Sequence, residues 1–218
     1  VGEASLEVRG LTVGPVESNC YLARRDGAGE AVVIDPGAEP DRIVTALEEW
    51  GAEPRAVLLT HAHMDHVGAV AQLVEEFGIP VHLHPADREL YDRASEQGRA
   101  WGLRVPQPPP PDHDLQHGDT VRVAGLAFEV RHAPGHSPGG VVLVADGDAF
   151  VGDCVFAGGV GRVDLPGGDA GTLLSSIREQ ILSLPPETVL WPGHGPRTTV
   201  EEESRSNPFL TGAVQWGR

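Results

Sequence analysis

The chain of 218 residues contains no lysine, and all sixteen of its basic residues are arginine. Lysine Schiff-base chemistry and a Walker-A phosphate loop are thereby excluded within this chain, because both need the lysine amine. Cysteine is nearly as scarce. Cys20 and Cys154 lie far apart and form no CxxC, so small, partly buried thiols are expected rather than a disulfide or a ligand pair. No window approaches ~18 uncharged apolar residues, so no transmembrane helix is expected. Positive charge is in deficit: the net charge is −16, which argues against nucleic acid or an anionic membrane as a partner. Val1-Gly2-Glu3-Ala4 lacks the basic segment and apolar core of a signal peptide, and a cytoplasmic protein is the expectation.

What the chain does have is Thr60-His61-Ala62-His63-Met64-Asp65-His66, four potential metal ligands within six residues. At this chain's His and Asp frequencies, H-x-H-x-D-H arises by accident in about one such chain in a thousand, which sets aside a merely solvated His-rich loop. The motif follows an apolar run, Arg55 to Leu59, that reads as a buried strand. It precedes Val67, Val70, Leu73, Val74 and Phe77, whose spacing predicts a helix over 67–77. In an extended loop His61 and His63 point to the same side and can share one cation. Asp65 and His66 fall near the first helical turn and can reach a second. Imidazoles plus a carboxylate suit zinc, iron or manganese.

The length fits one large domain or two small ones with a sizeable core. Strands are expected at 5–13, 18–22 and 31–34, the last ending at Asp35-Pro36-Gly37. Asp35 either orients a ligand or is turn chemistry. A helix is expected over 40–50, and Gly78 to His84 reads as a short strand whose His82 and His84 have structural or surface roles. Residues 86–100 read as helical, and Pro108 to Pro111 as a stiff, ordered surface loop. A hairpin is expected around Ala124-Gly125. It leads to His136, set among Pro134, Gly135, Pro138 and Gly139, a frame that can aim one residue at a metal. Strands at 141–144 and 149–151 follow, the second delivering Asp153. The glycine-rich stretch 158–164 lacks the context of a dinucleotide site. A helix over 171–182, a strand over 188–191 ending at Pro192-Gly193-His194-Gly195, and a helix over 200–206 complete the chain. Two halves of strands then helices, each giving ligands from strand-end loops, suggest two sheets packed face to face with helices outside, an α/β or α+β sandwich.

These segments together resemble the metallo-β-lactamase superfamily, and within it the short bacterial glyoxalase II-like hydrolases. The likeness rests on Ser18-Asn19-Cys20-Tyr21, Ile34-Asp35-Pro36-Gly37, the His61–His66 motif, Pro134-Gly135-His136, Gly152-Asp153, Gly161-Arg162-Val163-Asp164, Pro192-Gly193-His194-Gly195 and Asn207-Pro208-Phe209. It implies a four-layer αββα sandwich formed as one domain over 1–218. It implies two divalent metals, zinc first, with iron or manganese as alternatives. His61, His63 and His136 would hold the first metal, Asp65, His66 and His194 the second, and Asp153 would bridge them.

The reaction that the resemblance implies is hydrolysis of a small thioester, an S-2-hydroxyacyl-thiol giving a hydroxy acid and a free thiol. The metal pair would activate water, and Asp65 would orient it or take its proton. Larger glyoxalase II enzymes carry a C-terminal helical domain that contacts glutathione. Here 24 residues follow His194, so that domain is not expected and another small thiol is possible. An anionic substrate would need local positive charge, for which Arg162, Arg197 and Arg205 are the candidates. The rival readings are a persulfide dioxygenase with one iron on His61, His136 and Asp153, and a lactonase or β-lactamase sharing the same ligands.

Overall fold

A computed structural model describes residues 5–214; the N-terminal reading at residues 1–4 lies outside them. Strands β1 (Leu6–Val13) and β2 (Ser18–Arg25) form an antiparallel pair running from Leu6 opposite Arg25 to Val13 opposite Ser18. β3 (Glu30–Ile34) adds antiparallel to β2. Helix α1 (Pro40–Trp50) then crosses over to β4 (Glu53–Leu58), which lies parallel to β3. Two short helices, α2 (Met64–Val67) and α3 (Val70–Phe77), lead to β5 (Val81–Leu83), again parallel. A 3₁₀ turn at Pro85–Asp87, α4 (Arg88–Asp92) and α5 (Ala94–Ala100) precede β6 (His113–Asp114), which closes a first sheet in the order β1-β2-β3-β4-β5-β6.

The second half repeats the theme. β7 (Thr120–Val123), β8 (Leu126–His132), β9 (Val141–Ala145) and β10 (Asp148–Gly152) form an antiparallel meander. A small hairpin, β11 (Val155–Phe156) and β12 (Gly159–Val160), follows. Helix α6 (Ala170–Ser176) runs into a π-helical turn at Ile177–Ile181. β13 (Val189–Pro192) returns parallel to β10, and β14 (Thr198–Thr199) and α7 (Val200–Ser206) end the domain. The second sheet has the order β14-β13-β10-β9-β8-β7.

Period-2 alternation on strands buried on both faces builds the layers. Along β2 and β3, Cys20, Leu22, Ala31 and Val33 pack outward with Ile43, Leu47, Val70 and Leu73 of the helices. Tyr21, Ala23, Val32 and Ile34 point inward, where they meet Phe128, Leu143 and Phe150 of the second sheet. On that sheet's far face, Val142, Ala149, Val151 and Leu190 pack against Leu173, Ile177 and Ile181. Three apolar seams between four layers make the αββα sandwich expected from the sequence.

Several boundaries differ from expectation. The helix expected over 67–77 is broken after Val67, where the backbone groups bond outside the helix: Ala69 N donates to Pro36 O at 2.9 Å, and Asp65 O accepts from Ser18 Oγ at 2.7 Å. The helix expected over 86–100 is split at Arg93: the Leu90 carbonyl at the end of α4 accepts from Arg93 N at 3.1 Å in a tightened last turn and also from Gln97 Nε2 at 2.7 Å. The proline stretch is an ordered surface loop, pinned where Asp112 N donates to Val81 O and Asp112 Oδ2 accepts from Val81 N, both at 2.9 Å. At this edge the His82 ring lies tilted against His113 and His84 stacks on His132; neither belongs to the clustered donor groups of the described residues. Both cysteines are free and buried. Among the described residues no helix is long and apolar enough to cross a membrane.

Phe150 is fully buried in the inter-sheet seam, with Tyr21, Phe128 and Trp191 ring centroids 5.6, 6.2 and 6.3 Å away. Phe150→Ala is expected to cost about 3–5 kcal/mol, read as a lower denaturant midpoint at unchanged slope. A cost below about 1 kcal/mol would mean that this seam does not hold the sheets together.

Candidate metal centre

The site lies at one edge of both sheets, where strands running in the same direction end. β3 and β4 are parallel neighbours and deliver Asp35 and the His61–His66 loop. In the other sheet β8, β10 and β13 share one direction and deliver His136, Asp153 and His194 from their carboxyl ends. The sheets are joined at this edge by backbone: Val141 N donates to Thr60 O at 2.8 Å.

All seven residues singled out as ligands converge here. The donor atoms of His61, His63 and His136 lie within 4.8 Å of one another, as do those of Asp65, His66 and His194. Asp153 stands between the groups: Oδ2 is 3.5 Å from His136 Nε2 and 3.6 Å from His194 Nε2, and Oδ1 is 3.5 Å from His66 Nε2. Asp65 Oδ2 is 3.2 Å from His194 Nε2 and 3.6 Å from His66 Nε2. Ligand atoms at bond lengths of ~2.0–2.2 Å in a tetrahedron are spaced by about 3.3–3.6 Å, so the separations among Asp65, His66, His194 and Asp153 fit a cation between them; in the first group His63 Nδ1 and His136 Nε2 lie closer, at 2.8 Å. His61 Nε2, His66 Nε2 and Asp153 Oδ1 are buried without any hydrogen-bond partner. Orphaned buried polar atoms are rare and need an explanation, and a pair of cations supplies it.

The other ring nitrogens are held by partners that fix the tautomer. His136 Nδ1 donates to Arg162 O at 2.8 Å and His194 Nδ1 to Glu17 O at 3.2 Å. His66 Nδ1 is 3.1 Å from Asp35 Oδ2, and His61 Nδ1 is 3.1 Å from Thr60 Oγ1. Thr60 donates its own hydroxyl to Asp35 Oδ2 at 2.5 Å and its N–H to Oδ1 at 2.7 Å. Asp35 is therefore the support of two histidines, which resolves the two roles the sequence leaves open.

Electrostatics agree with a site built for cations. Burial and then the neighbouring histidines hold His61 far below its ordinary value. Burial and His136 push His63 down to about 3, so its imidazole is neutral and able to ligate. Burial would lower His66 too, but Asp65, Asp153 and Asp35 outweigh it and raise it to about 10. Asp65 also resists burial: His66 and His194 keep its carboxyl well below the usual range.

Some candidates lie elsewhere. Arg162 borders the cavity of about 250 Å³ over the site, together with Asp65, Trp101 and Leu165. Its guanidinium is held by Asp164 through two 2.7 Å contacts. Arg197 lies over the Trp191 ring and Arg205 pairs with exposed Glu201 on α7; neither lines that cavity. Short sequence distance from His194 did not carry them to it. Cys154, next to Asp153, turns its Sγ towards Ala133 O in the outer seam. Burial and then Asp153 push this thiol up to about 12; it is the direction of Sγ, into the outer seam, that keeps it out of the donor groups.

The sequence reading missed Asp87. Its buried carboxylate accepts from Ala62 N at 3.0 Å, Ser137 Oγ at 2.8 Å and Gly139 N at 2.5 Å. One side chain thus ties the His61–His63 loop to the His136 loop. Nothing local marks it, because Pro85-Ala86-Asp87 reads as an ordinary turn. Asn19 and Tyr21 do the same for the His194 loop: Asn19 Nδ2 donates to Pro192 O and Gly195 O at 3.0 and 2.8 Å, and Tyr21 OH to Pro192 O at 2.6 Å.

Asp153→Ala is expected to lower metal occupancy in both groups, measured by metal analysis after equilibrium dialysis. Two metals held as tightly as in the parent would overturn a bridging position for Asp153. Asp87→Ala leaves three buried donors without an acceptor, and should weaken metal affinity by about 10–100-fold in a chelator competition. An unchanged affinity would make Asp87 a purely structural brace.

Comparison with known proteins places this geometry. The model of the metallo-beta-lactamase superfamily matches residues 13–194. The hydroxyacylglutathione hydrolase GloC of Haemophilus influenzae is 39% identical, over 92% of this chain and 96% of its own. The crystal structure of BLEG-1 B3 metallo-beta-lactamase is 40% identical, with a TM-score of 0.89 over 94% of this chain and 100% of that one. The structure of TTHA1623 in a di-iron-bound form is 49% identical, with a TM-score of 0.85 over 93% and 100%. A family match from the first sheet to His194, spanning every loop that meets at the site, has one reading: this chain belongs to the metallo-β-lactamase superfamily.

Proposed function

We propose that the chain is a two-metal hydrolase of small thioesters, acting on S-2-hydroxyacyl-thiols in the manner of glyoxalase II. The observation that carries it is the convergence of two three-residue donor groups on one carboxylate, Asp153, with orphaned ligand atoms on both sides. A single-iron persulfide dioxygenase on His61, His136 and Asp153 would leave Asp65, His66 and His194 grouped without a purpose. The GloC relative, whose name states thioester hydrolysis, supports the substrate class. Zinc is the expectation from the donor types, and the di-iron relative makes iron the first alternative.

Cations held by these residues would lower the pKa of a bound water towards ~7 and would withdraw charge from a carbonyl oxygen. The residues of the chain do the rest. Asp153 and the five histidines fix the donor positions. Asp65 commits Oδ2 to the histidines, so Oδ1 is the atom left to orient water or hold its proton. A thiolate leaves with little acid assistance, because thiols are acidic; no general acid besides Asp65 is required. Arg162 flanks the cavity, its charge partly offset by Asp164, and offers N–H donors to a substrate hydroxyl.

Metal analysis of protein purified without chelators or added metal should give about two metals per chain. A panel of 2-hydroxyacyl thioesters should release free thiol, with loss on chelation and return on adding metal. One iron per chain with oxygen uptake on a persulfide would replace this reading by the dioxygenase. The likeness to BLEG-1 gives ground for a second reading: faster turnover of a β-lactam or lactone than of any thioester would establish it.

A further inference from the structure

The cavity over the metal centre does not end at the ligands. It continues into a second one of about 420 Å³, and His63, Gln97, Trp101 and Leu165 line both. The side cavity lies between α4–α5 and the loops carrying Pro138 and Leu165-Pro166. Its walls are largely apolar: Leu90, Ala100, Trp101, Pro138, Leu165 and Pro166. The Gln97 amide adds little polarity, because it is already engaged. Oε1 accepts from Met64 N at 3.2 Å, and Nε2 donates to Leu90 O at 2.7 Å and Ala62 O at 3.3 Å. Those bonds also fix α5 to the His61–His66 loop, so the wall is set relative to the reacting centre before anything binds.

Charge at the rim narrows the occupant. Arg93 is held by Glu96 at 2.9 Å and faces Glu89 at 3.8 Å, so this edge is net acidic. Arg162, on the metal side, is held by Asp164. Both arginines lining the two cavities are therefore engaged with carboxylates, and a substrate tail carrying its own carboxylate would have to compete with them. We infer that the side cavity is a specificity pocket for an apolar, uncharged segment of the substrate, either the acyl chain or the thiol carrier, running from the scissile carbonyl past Trp101 and Leu165. This rests on the hydrolase reading above and adds the substrate class to it.

The test uses metal-loaded enzyme and two series of thioesters. In one, N-acetylcysteamine is held constant and the acyl chain runs from acetyl to hexanoyl; in the other, the acetyl group is held constant and the thiol runs from ethanethiol to hexanethiol. A rise in kcat/KM of about four-fold per methylene in either series supports the pocket and assigns it to that end of the substrate. Adipoyl, which is hexanoyl with a terminal carboxylate in place of the methyl, should be at least ten-fold poorer. The exposed pair Glu89→Gln with Glu96→Gln should narrow that gap. Ala100→Trp, which fills the pocket from an exposed position, should flatten the series. Thioester turnover with both series flat overturns the pocket and leaves the hydrolase reading intact. If neither these series nor the 2-hydroxyacyl thioesters turn over, the hydrolase reading falls and binding decides the pocket. The inert thioether S-hexyl-N-acetylcysteamine should then quench fluorescence in the parent and not in Trp101→Phe; absence of that difference overturns it.

Discussion

The constraint on which the site depends is the cost of burying like charges together. Asp35 is buried and Asp65 and Asp153 are nearly so, yet all three crowd His66. Carboxylates out of water cost several kcal/mol each unless something positive meets them. In their midst His66 is driven to hold a proton up to about 10, against its own burial. The same field attracts cations, and His61 and His63, kept neutral beside it, offer lone pairs to them. The fold supplies the rest of the cost by holding these groups where they cannot separate.

That holding is done by hydrogen bonds between loops rather than by the strands alone. Asp35 grips Thr60 and through it His61. Asp87 joins two ligand loops, and Asn19 with Tyr21 braces a third. Backbone closeness is part of the same design. At Gly193 a Cβ would strike Asp153 Oδ1 and His66, and at Gly37 it would strike the Asp65 carbonyl. These glycines are places where one ligand loop touches another, which no side chain would permit. Substituting either would displace ligands without touching a donor atom.

The wall of the neighbouring cavity shows how specificity is separable from chemistry in such a fold. The donors come from strand ends, which are rigid. The side cavity comes from α4–α5 and the Leu165 loop, elements packed at the periphery and tied to the ligand loop through Gln97. Changing the apolar wall residues alters what is recognised while Asp87 and Gln97 keep the donor positions fixed, the arrangement expected where function is carried by loops on a scaffold.

Sequence by itself determined the chemistry that was available. Four ligands within His61–His66, and histidines and an aspartate held in Gly and Pro frames after strands, are local patterns, and local patterns survive without a fold. The apolar runs of β3, β9 and β10 likewise contained the layered architecture, because a strand buried on both faces must be apolar on both. Tertiary structure decided what those patterns could not carry. It chose Asp35 as a support, brought in Asp87, and gave α4–α5 a break that turns Gln97 towards the ligands. It sent Arg197 and Arg205 away from the centre although both follow His194 closely. It turned Cys154 into the outer seam although Asp153 beside it faces His66, His136 and His194. The physical reason is the same each time: adjacent residues on a strand or turn point in different directions, and hydrogen bonds between distant loops have no signature in the order of the residues that make them.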